Sequence, residues 1–171
     1  MNEYAATIKS SYDEYLAELK KAIDGVSMAE AYTQPSPHSN TIGWIVWHMA
    51  RVEDYWLNNV LHGNAQVWNS GGWDKKFGID TEDRGAGQTI EQVLAMPHIG
   101  IADLLEYFDA VRAQTSQLIS GLAESQLARE MEHPRFGKIT GRWIIGHIVV
   151  EESQHVGQVA FIRGMLHGFG K

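Results

Sequence analysis

The sequence predicts an all-α protein, a four-helix bundle with a long crossover loop between its second and third helices. Four segments repeat apolar residues every three or four positions, which is the period of an amphipathic helix. No segment alternates apolar and polar residues over the length of a strand, although residues 137–150 are rich in β-branched side chains. A stretch of about two dozen residues between the second and third helical segments has neither period.

The four predicted helices have recognisable ends. Asn40 or Thr41 can cap the second helix and Thr140 the fourth, because a hydroxyl or amide oxygen accepts a free backbone N–H there. Gly25 ends the first helix, and Pro97 interrupts the third. The predicted helices cover approximately residues 3–24, 41–61, 89–121 and 140–167.

The crossover loop, residues 63–88, is expected to be functional or mobile, because loops of this length are uncommon in compact domains. Trp68, Trp73 and Phe77 lie within it and favour a loop that folds onto the bundle. We expect these aromatic residues to approach the end of the bundle that holds the site described below, with Trp73 or Phe77 at least partly buried. Residues 85–87, Gly-Ala-Gly, follow no predicted strand and are interpreted as plain loop.

Length and composition limit the classes of function. The chain has 171 residues, which predicts a single domain over residues 1–171. Its net charge of −7 argues against nucleic acid or an anionic membrane as the main partner. It has no cysteine, which excludes disulfides, cysteine nucleophiles and thiolate-bound metals. Since no signal peptide and no membrane span is recognisable, we expect a cytoplasmic protein that acts on a small molecule.

Ionisable side chains lie on the apolar faces of two predicted helices. His147, Glu151 and His155 recur every four residues in the fourth helix, and His48 lies on the apolar stripe of the second. A buried carboxylate requires a cation or a metal, because an unpaired charge in an apolar interior costs several kcal/mol. The alternatives are a salt bridge from Glu151 to an arginine, an exposed polar stripe, and a core histidine at position 48.

These groups have the composition of a catalytic divalent-metal site. Histidine and glutamate supply nitrogen and oxygen ligands, and three of them leave one coordination position open. Metal sites in bundles are built from side chains on facing helices. His147 and His155 are eight residues apart, or about 12 Å along a helix axis, so they cannot both bind an ion that Glu151 holds. The spacing leaves the choice between the two histidines open.

Two stretches of the chain resemble the DinB/YfiT-like superfamily of metalloenzymes. One is IGWIVWHMARVEDYW, residues 42–56, and the other is Glu151-x-x-x-His155-x-Gly157-Gln158. The most similar branch includes the metal-binding bundle of mycothiol-dependent maleylpyruvate isomerase, and the resemblance covers nearly the whole chain in order. It implies one divalent ion bound by His48, Glu151 and His155. Many members have histidine where this chain has Glu151, so the chain follows the His/Glu/His form.

The resemblance also implies an activity and an assembly. The expected chemistry is transfer or isomerisation with a low-molecular-weight thiol such as mycothiol or bacillithiol, or hydrolysis by a metal-activated hydroxide. The expected ion is zinc or nickel, with iron, cobalt and manganese as alternatives. A homodimer is expected, and His147 is expected to make at most an outer-shell contact. The alternative function is a non-catalytic, metal-bound binding or stress-response module.

Other polar and small residues are interpreted as ordinary structure. We expect Glu53 and Asp54 to face water or to pair with Arg51, and His133 to lie solvated in a loop. Gly157 is expected to permit close packing of the fourth helix. The tryptophans of the second and fourth helices are expected in the core or at its rim, where some can form the wall of a pocket.

Overall fold

The structure, a computed structural model, describes residues 3–168. This part of the chain is mostly helical, as the sequence predicts, and none of its helices has the length and apolar character needed to cross a membrane. The elements are α1 (Glu3–Ile23), α2 (Met28–Ala31), α3 (Ile42–Glu53), the π-helix π1 (Asp54–Leu61), α4 (Val67–Ser70), α5 (Trp73–Phe77), α6 (Ile90–Leu94), α7 (Ile101–Ser120), α8 (Glu124–Ala128), β1 (Glu130–His133), β2 (Gly137–Thr140) and α9 (Gly141–His167).

The four long helical units are α1, α3 with π1, α7 and α9, and they form the predicted bundle. Helix α1 packs mainly against α9 and α7, and α3 packs mainly against α7 and α9. The predicted caps are confirmed, since the hydroxyl of Thr41 accepts the N–H of Trp44 and that of Thr140 accepts the N–H of Trp143. These caps fix the starts of the two helices that carry the predicted metal ligands.

The second helical unit changes geometry near its middle. After Glu53 the chain continues as a π-helix to Leu61, which is also the predicted end of the helix. π-Helical turns are rare, and they occur frequently at functional sites. Tyr55 and Trp56, at the beginning of π1, line the cavity described below.

A two-stranded hairpin, β1 and β2, precedes α9. The strands are antiparallel, with Glu130 opposite Thr140. The sequence analysis predicts no strand here, because four residues are too few for apolar alternation to be recognised; the β-branched character of residues 137–150 was the single indication. The turn of the hairpin carries Arg135 and Phe136, which also line the cavity.

Glu53 forms a buried ion pair that connects three helices, so the expectation that it faces water or pairs with Arg51 is wrong. Arg112 of α7 donates to the Glu53 carboxylate from Nε at 3.0 Å and from Nη2 at 2.7 Å. Tyr15 of α1 donates a third hydrogen bond at 2.6 Å. Burial lowers the pKa of Arg112, but the charge of Glu53 more than offsets this and the guanidinium stays cationic.

Replacing Arg112 with methionine is expected to lower the free energy of unfolding by about 3–5 kcal/mol, because Glu53 is then buried without a cation. Lys20→Met is the matched control, since Lys20 also bridges to α7, 2.6 Å from Asp109, in an exposed pair. Exposed pairs contribute about 1 kcal/mol or less. Chemical denaturation of both variants measures the difference, and equal losses would contradict the importance of the buried pair.

Candidate metal site

The structure brings together His48 of α3 with Glu151 and His155 of α9. One nitrogen or oxygen atom from each of the three side chains lies within 4.8 Å of the other two. The imidazole rings of His48 and His155 meet edge to face, with their centroids 5.1 Å apart. His155, rather than His147, therefore joins Glu151 and His48 in the cluster.

Both histidines of the cluster have Nδ1 within hydrogen-bond distance of a carbonyl oxygen. Nδ1 of His48 lies 2.5 Å from the carbonyl oxygen of Arg84, and Nδ1 of His155 lies 3.0 Å from Oε1 of Gln158. Because a carbonyl oxygen only accepts hydrogen bonds, each Nδ1 carries the proton and donates it. With Nδ1 as the donor, Nε2 is the nitrogen whose lone pair can bind a metal.

The spacing within the cluster fits a shared ion. Nε2 of His48 lies 3.7 Å from Oε1 of Glu151, which is too long for a hydrogen bond. Two ligand atoms that are each about 2.1 Å from a tetrahedral ion lie about 3.4 Å apart. The donor types, the protonation of the rings and this distance are all those of a divalent-metal site.

The electrostatics of the cluster also suit a cation. Burial raises the pKa of Glu151, but the contact with His48 and the proximity of His147 and His155 outweigh burial and hold the pKa below its usual value. Burial lowers the pKa of His155, and the neighbouring His48 lowers it further. These shifts favour an ionised Glu151 carboxylate and a neutral His155 imidazole at neutral pH, which are the forms that bind a metal.

His147 contacts Glu151 from the side opposite His48. Its Nε2 lies 3.1 Å from Oε2 of Glu151, and its ring stacks on Trp143 with the centroids 4.4 Å apart. It thus contacts the second carboxylate oxygen and leaves Oε1 for the cluster.

The crossover loop covers the cluster with its last residues rather than with its aromatic residues. Phe77 is buried and Trp73 partly buried, as predicted, but both rings pack against Tyr107 of α7. Residues 84–88 line the cavity beside the cluster instead. The expectation that Trp73 and Phe77 approach the site is therefore wrong, whereas residues 85–87 are loop, as interpreted, and form part of the cavity lining.

Arg51 anchors the crossover loop to α3. It is fully buried, and it donates hydrogen bonds to the carbonyl oxygens of Thr81 at 3.2 Å and Asp83 at 3.0 Å. It also donates to Oε1 of Gln66 at 2.9 Å, and its guanidinium lies 4.6 Å from the centre of the Trp68 ring. One side chain thereby fixes both ends of the loop.

Asp54 anchors the beginning of the same loop. It is fully buried, which the sequence analysis did not predict, although Arg51 lies 3.9 Å away as the expected pairing requires. Its carboxylate accepts the backbone N–H groups of Val67 and Trp68, the first residues of α4, at 2.9 and 2.8 Å. Burial raises the pKa of Asp54, and these hydrogen bonds oppose that rise.

A cavity of about 720 Å³ opens beside the cluster. Trp44, which stacks on His48 at 4.7 Å between centroids, and Trp56 form part of its wall, as expected for some of the tryptophans. His133 also lines it, 3.3 Å from the hydroxyl of Tyr55, so it does not lie in a solvated loop. In the sequence, the one indication that Tyr55 lines the cavity was its position seven residues after His48, on the same helix face.

The apolar face of α9 buries Ile144, Ile148, Val159 and Ile162, as predicted, but a different glutamate lies within it. Glu152, not Glu151, is the fully buried carboxyl, and neither of its oxygens has a hydrogen-bond partner within residues 3–168. Burial raises its pKa well above the usual value, and the charges of Glu53 and Glu151 add to this, so Glu152 is a neutral acid. Gly157 is exposed and packs against no other element within those residues, contrary to expectation.

Comparisons with known proteins agree with this fold. The family model described as the DinB superfamily matches residues 11–159. A crystal structure of a conserved protein from Enterococcus faecalis is similar over 98% of this chain and 99% of that chain, with a TM-score of 0.86 and 22% sequence identity. At this identity the likeness shows the fold alone. The search of curated proteins found no match.

Gly85→Ala is expected to weaken zinc binding by about tenfold or more. The backbone at Gly85 has a φ of +79°, and a Cβ there would lie 2.7 Å from the Trp44 ring and 2.9 Å from Nδ1 of His48. Gly87→Ala is the matched control, because Gly87 has the same φ and open space around its Cβ. Competition titration with a chromophoric chelator measures both variants. Equal effects would mean that backbone strain alone, and not the contact with His48, is responsible.

Proposed function

Since the chain belongs to the DinB superfamily, we propose that it is a small enzyme that depends on one divalent metal ion. The observation that carries this proposal is the convergence of His48, Glu151 and His155, with one ligand atom from each within 4.8 Å of the others. Zinc or nickel is the expected ion, and iron, cobalt and manganese accept the same nitrogen and oxygen donors.

The three ligands leave room for a substrate atom on the ion. A divalent ion with an open position lowers the pKa of a bound thiol or water, or polarises a carbonyl group. The carbonyl oxygen of Arg84 and the side chain of Gln158 orient the two imidazoles, and Trp56 forms part of the aromatic wall of the cavity.

His133 and Tyr55 form a pair on the cavity wall, away from the candidate metal ligands. Burial lowers the pKa of His133, and the charges of Arg84, Arg135 and His147 lower it further, so its ring is neutral at neutral pH. Its Nε2 lies 3.3 Å from the hydroxyl oxygen of Tyr55. Nδ1 of the same ring accepts the backbone N–H of Arg135 at 3.2 Å, so Nε2 of the neutral ring carries the proton and is placed to donate it to the Tyr55 hydroxyl oxygen or to a substrate in the cavity.

The proposed reaction is thiol-dependent transfer or isomerisation of a small molecule, with hydrolysis as the other reaction class. The chain contains no cysteine, so the thiol would be a free cofactor such as mycothiol or bacillithiol.

We further propose a single domain over residues 1–171 and a cytoplasmic homodimer. Phe161 and Met165, which are 69% and 57% exposed on α9, support an apolar contact between two copies.

Alanine at His48 or His155 is expected to lower zinc affinity by about tenfold or more, because two protein ligands hold an ion poorly. His147→Ala is the matched control, since His147 is four residues from Glu151 on the same helix, as His155 is. It should retain stoichiometric metal, with a smaller loss of affinity. Elemental analysis of untagged protein and chelator competition give both quantities. A dispensable His155 with an essential His147 would contradict the proposed ligand set.

Thiol titration separates the enzyme from a non-catalytic metal-bound module. Metal-loaded protein is titrated with bacillithiol and mycothiol, and the metal-free His155→Ala variant serves as the control. Saturable binding that requires the metal supports the enzyme. Full metal occupancy with no thiol binding and no hydrolysis of ester or amide substrates would favour the module.

A further inference from the structure

We propose that Arg84 and Arg135 form an anion-binding subsite at the end of the cavity opposite the candidate metal ligands, and that the substrate is an organic anion with an apolar body. This inference deepens the proposed function, on which it rests for the role of the other end of the cavity. Both arginines line the cavity together with His133.

Neither arginine has a carboxylate partner within residues 3–168. Three other arginines differ in this respect: Arg51 lies 3.9 Å from Asp54, Arg112 pairs with a glutamate at 2.7 Å, and Arg142 pairs with another at 3.5 Å. Two arginines without an acidic partner in one cavity constitute a binding site for an anion supplied from outside.

The guanidinium of Arg84 is held in place for such a role. It lies 3.9 Å from the centre of the Tyr55 ring, a cation–π distance that fixes the plane of the group and leaves its N–H edges free. The backbone carbonyl of the same residue accepts the hydrogen bond from His48. Arg84 therefore connects the two ends of the cavity, because its backbone orients a candidate ligand and its side chain faces the anion.

The charge distribution of the cavity favours an anion although the chain as a whole carries a net charge of −7. Glu151 is the one carboxylate among the described residues that line it, and that group lies among the candidate metal ligands. Arg84 and Arg135 thus create a local positive potential, which selects anionic ligands and raises their rate of binding.

The distance between the two ends sets the size of the ligand. The Tyr55 ring contacts the Arg84 guanidinium, and Tyr55 follows His48 by seven residues, or about 10 Å along the helix. The wall between them is aromatic, with Trp56 and Phe136 5.9 Å apart between ring centroids. A carboxylate or phosphate on a flat apolar body fits this shape, with its reactive end towards the candidate metal ligands.

Tryptophan fluorescence of the zinc-loaded full-length protein tests the subsite, because Trp44 and Trp56 line the cavity. The probes are 3-phenylpropionate, phenyl phosphate and the neutral 3-phenylpropanamide. We expect saturable binding of at least one anion, and binding of the amide at least tenfold weaker. The better of the two anions distinguishes a carboxylate from a phosphate substrate.

The variants Arg84→Gln and Arg135→Gln should each weaken anion binding, Arg84→Gln by about tenfold or more. Arg142→Gln is the matched control, because Arg142 is exposed and lies outside the cavity. It should bind like the unmodified protein. Thermal unfolding confirms that each variant is folded, and Arg135, in an exposed turn, provides a test that does not depend on the packing of Arg84.

The same titration in the His155→Ala variant separates this inference from the metal proposal. Anion binding that persists there and is lost on adding Arg84→Gln supports the subsite independently of the metal. Three results overturn the subsite while the metal site stands: equal affinity for amide and anion, binding of Arg84→Gln equal to that of Arg142→Gln, or no saturable anion binding by the zinc-loaded protein.

Discussion

The hydrogen bond from Nδ1 of His48 to the carbonyl oxygen of Arg84 links the candidate metal ligands to the crossover loop. It assigns the proton of the imidazole and so directs Nε2 into the cluster. The position of that carbonyl depends in turn on Arg51 and Asp54, which bind the loop at three carbonyl oxygens and two backbone N–H groups. A buried polar anchor one turn beyond His48 thereby sets the geometry of the site.

Arg51 and Asp54 belong to a run of buried charged residues whose members contact two different parts of the fold. Arg51 and Asp54 face the crossover loop, whereas Glu53 faces Arg112 and the helices α1 and α7. Placing such groups in the interior costs solvation free energy, which their hydrogen bonds offset only when every partner is present. The arrangement makes the loop, the bundle and the candidate ligands mutually dependent. Glu152 differs because it avoids the cost by remaining neutral.

Local patterns predicted the helices and the candidate ligand groups, and they failed where the determinants are distant in sequence. Spacing and the apolar stripes grouped Glu151 and His48 with one of two histidines, and the family resemblance implied His155 rather than His147. An apolar face is too wide to distinguish neighbouring residues at its edge, so the buried Glu152 was missed. The partner of Glu53 lies 59 residues away, and residues 84–88 of the loop reach the cavity through contacts that have no periodicity in the sequence.

The central claim is that His48, Glu151 and His155 bind one ion, and anomalous X-ray diffraction tests it most directly. Crystals of untagged protein are measured above and below the absorption edge of the metal that elemental analysis identifies. The account predicts one anomalous peak about 2.0–2.2 Å from Nε2 of both histidines and from a carboxylate oxygen of Glu151, if the metal is zinc. A peak coordinated by His147 or His133 instead, or no peak among the three side chains in metal-supplied protein, would contradict it.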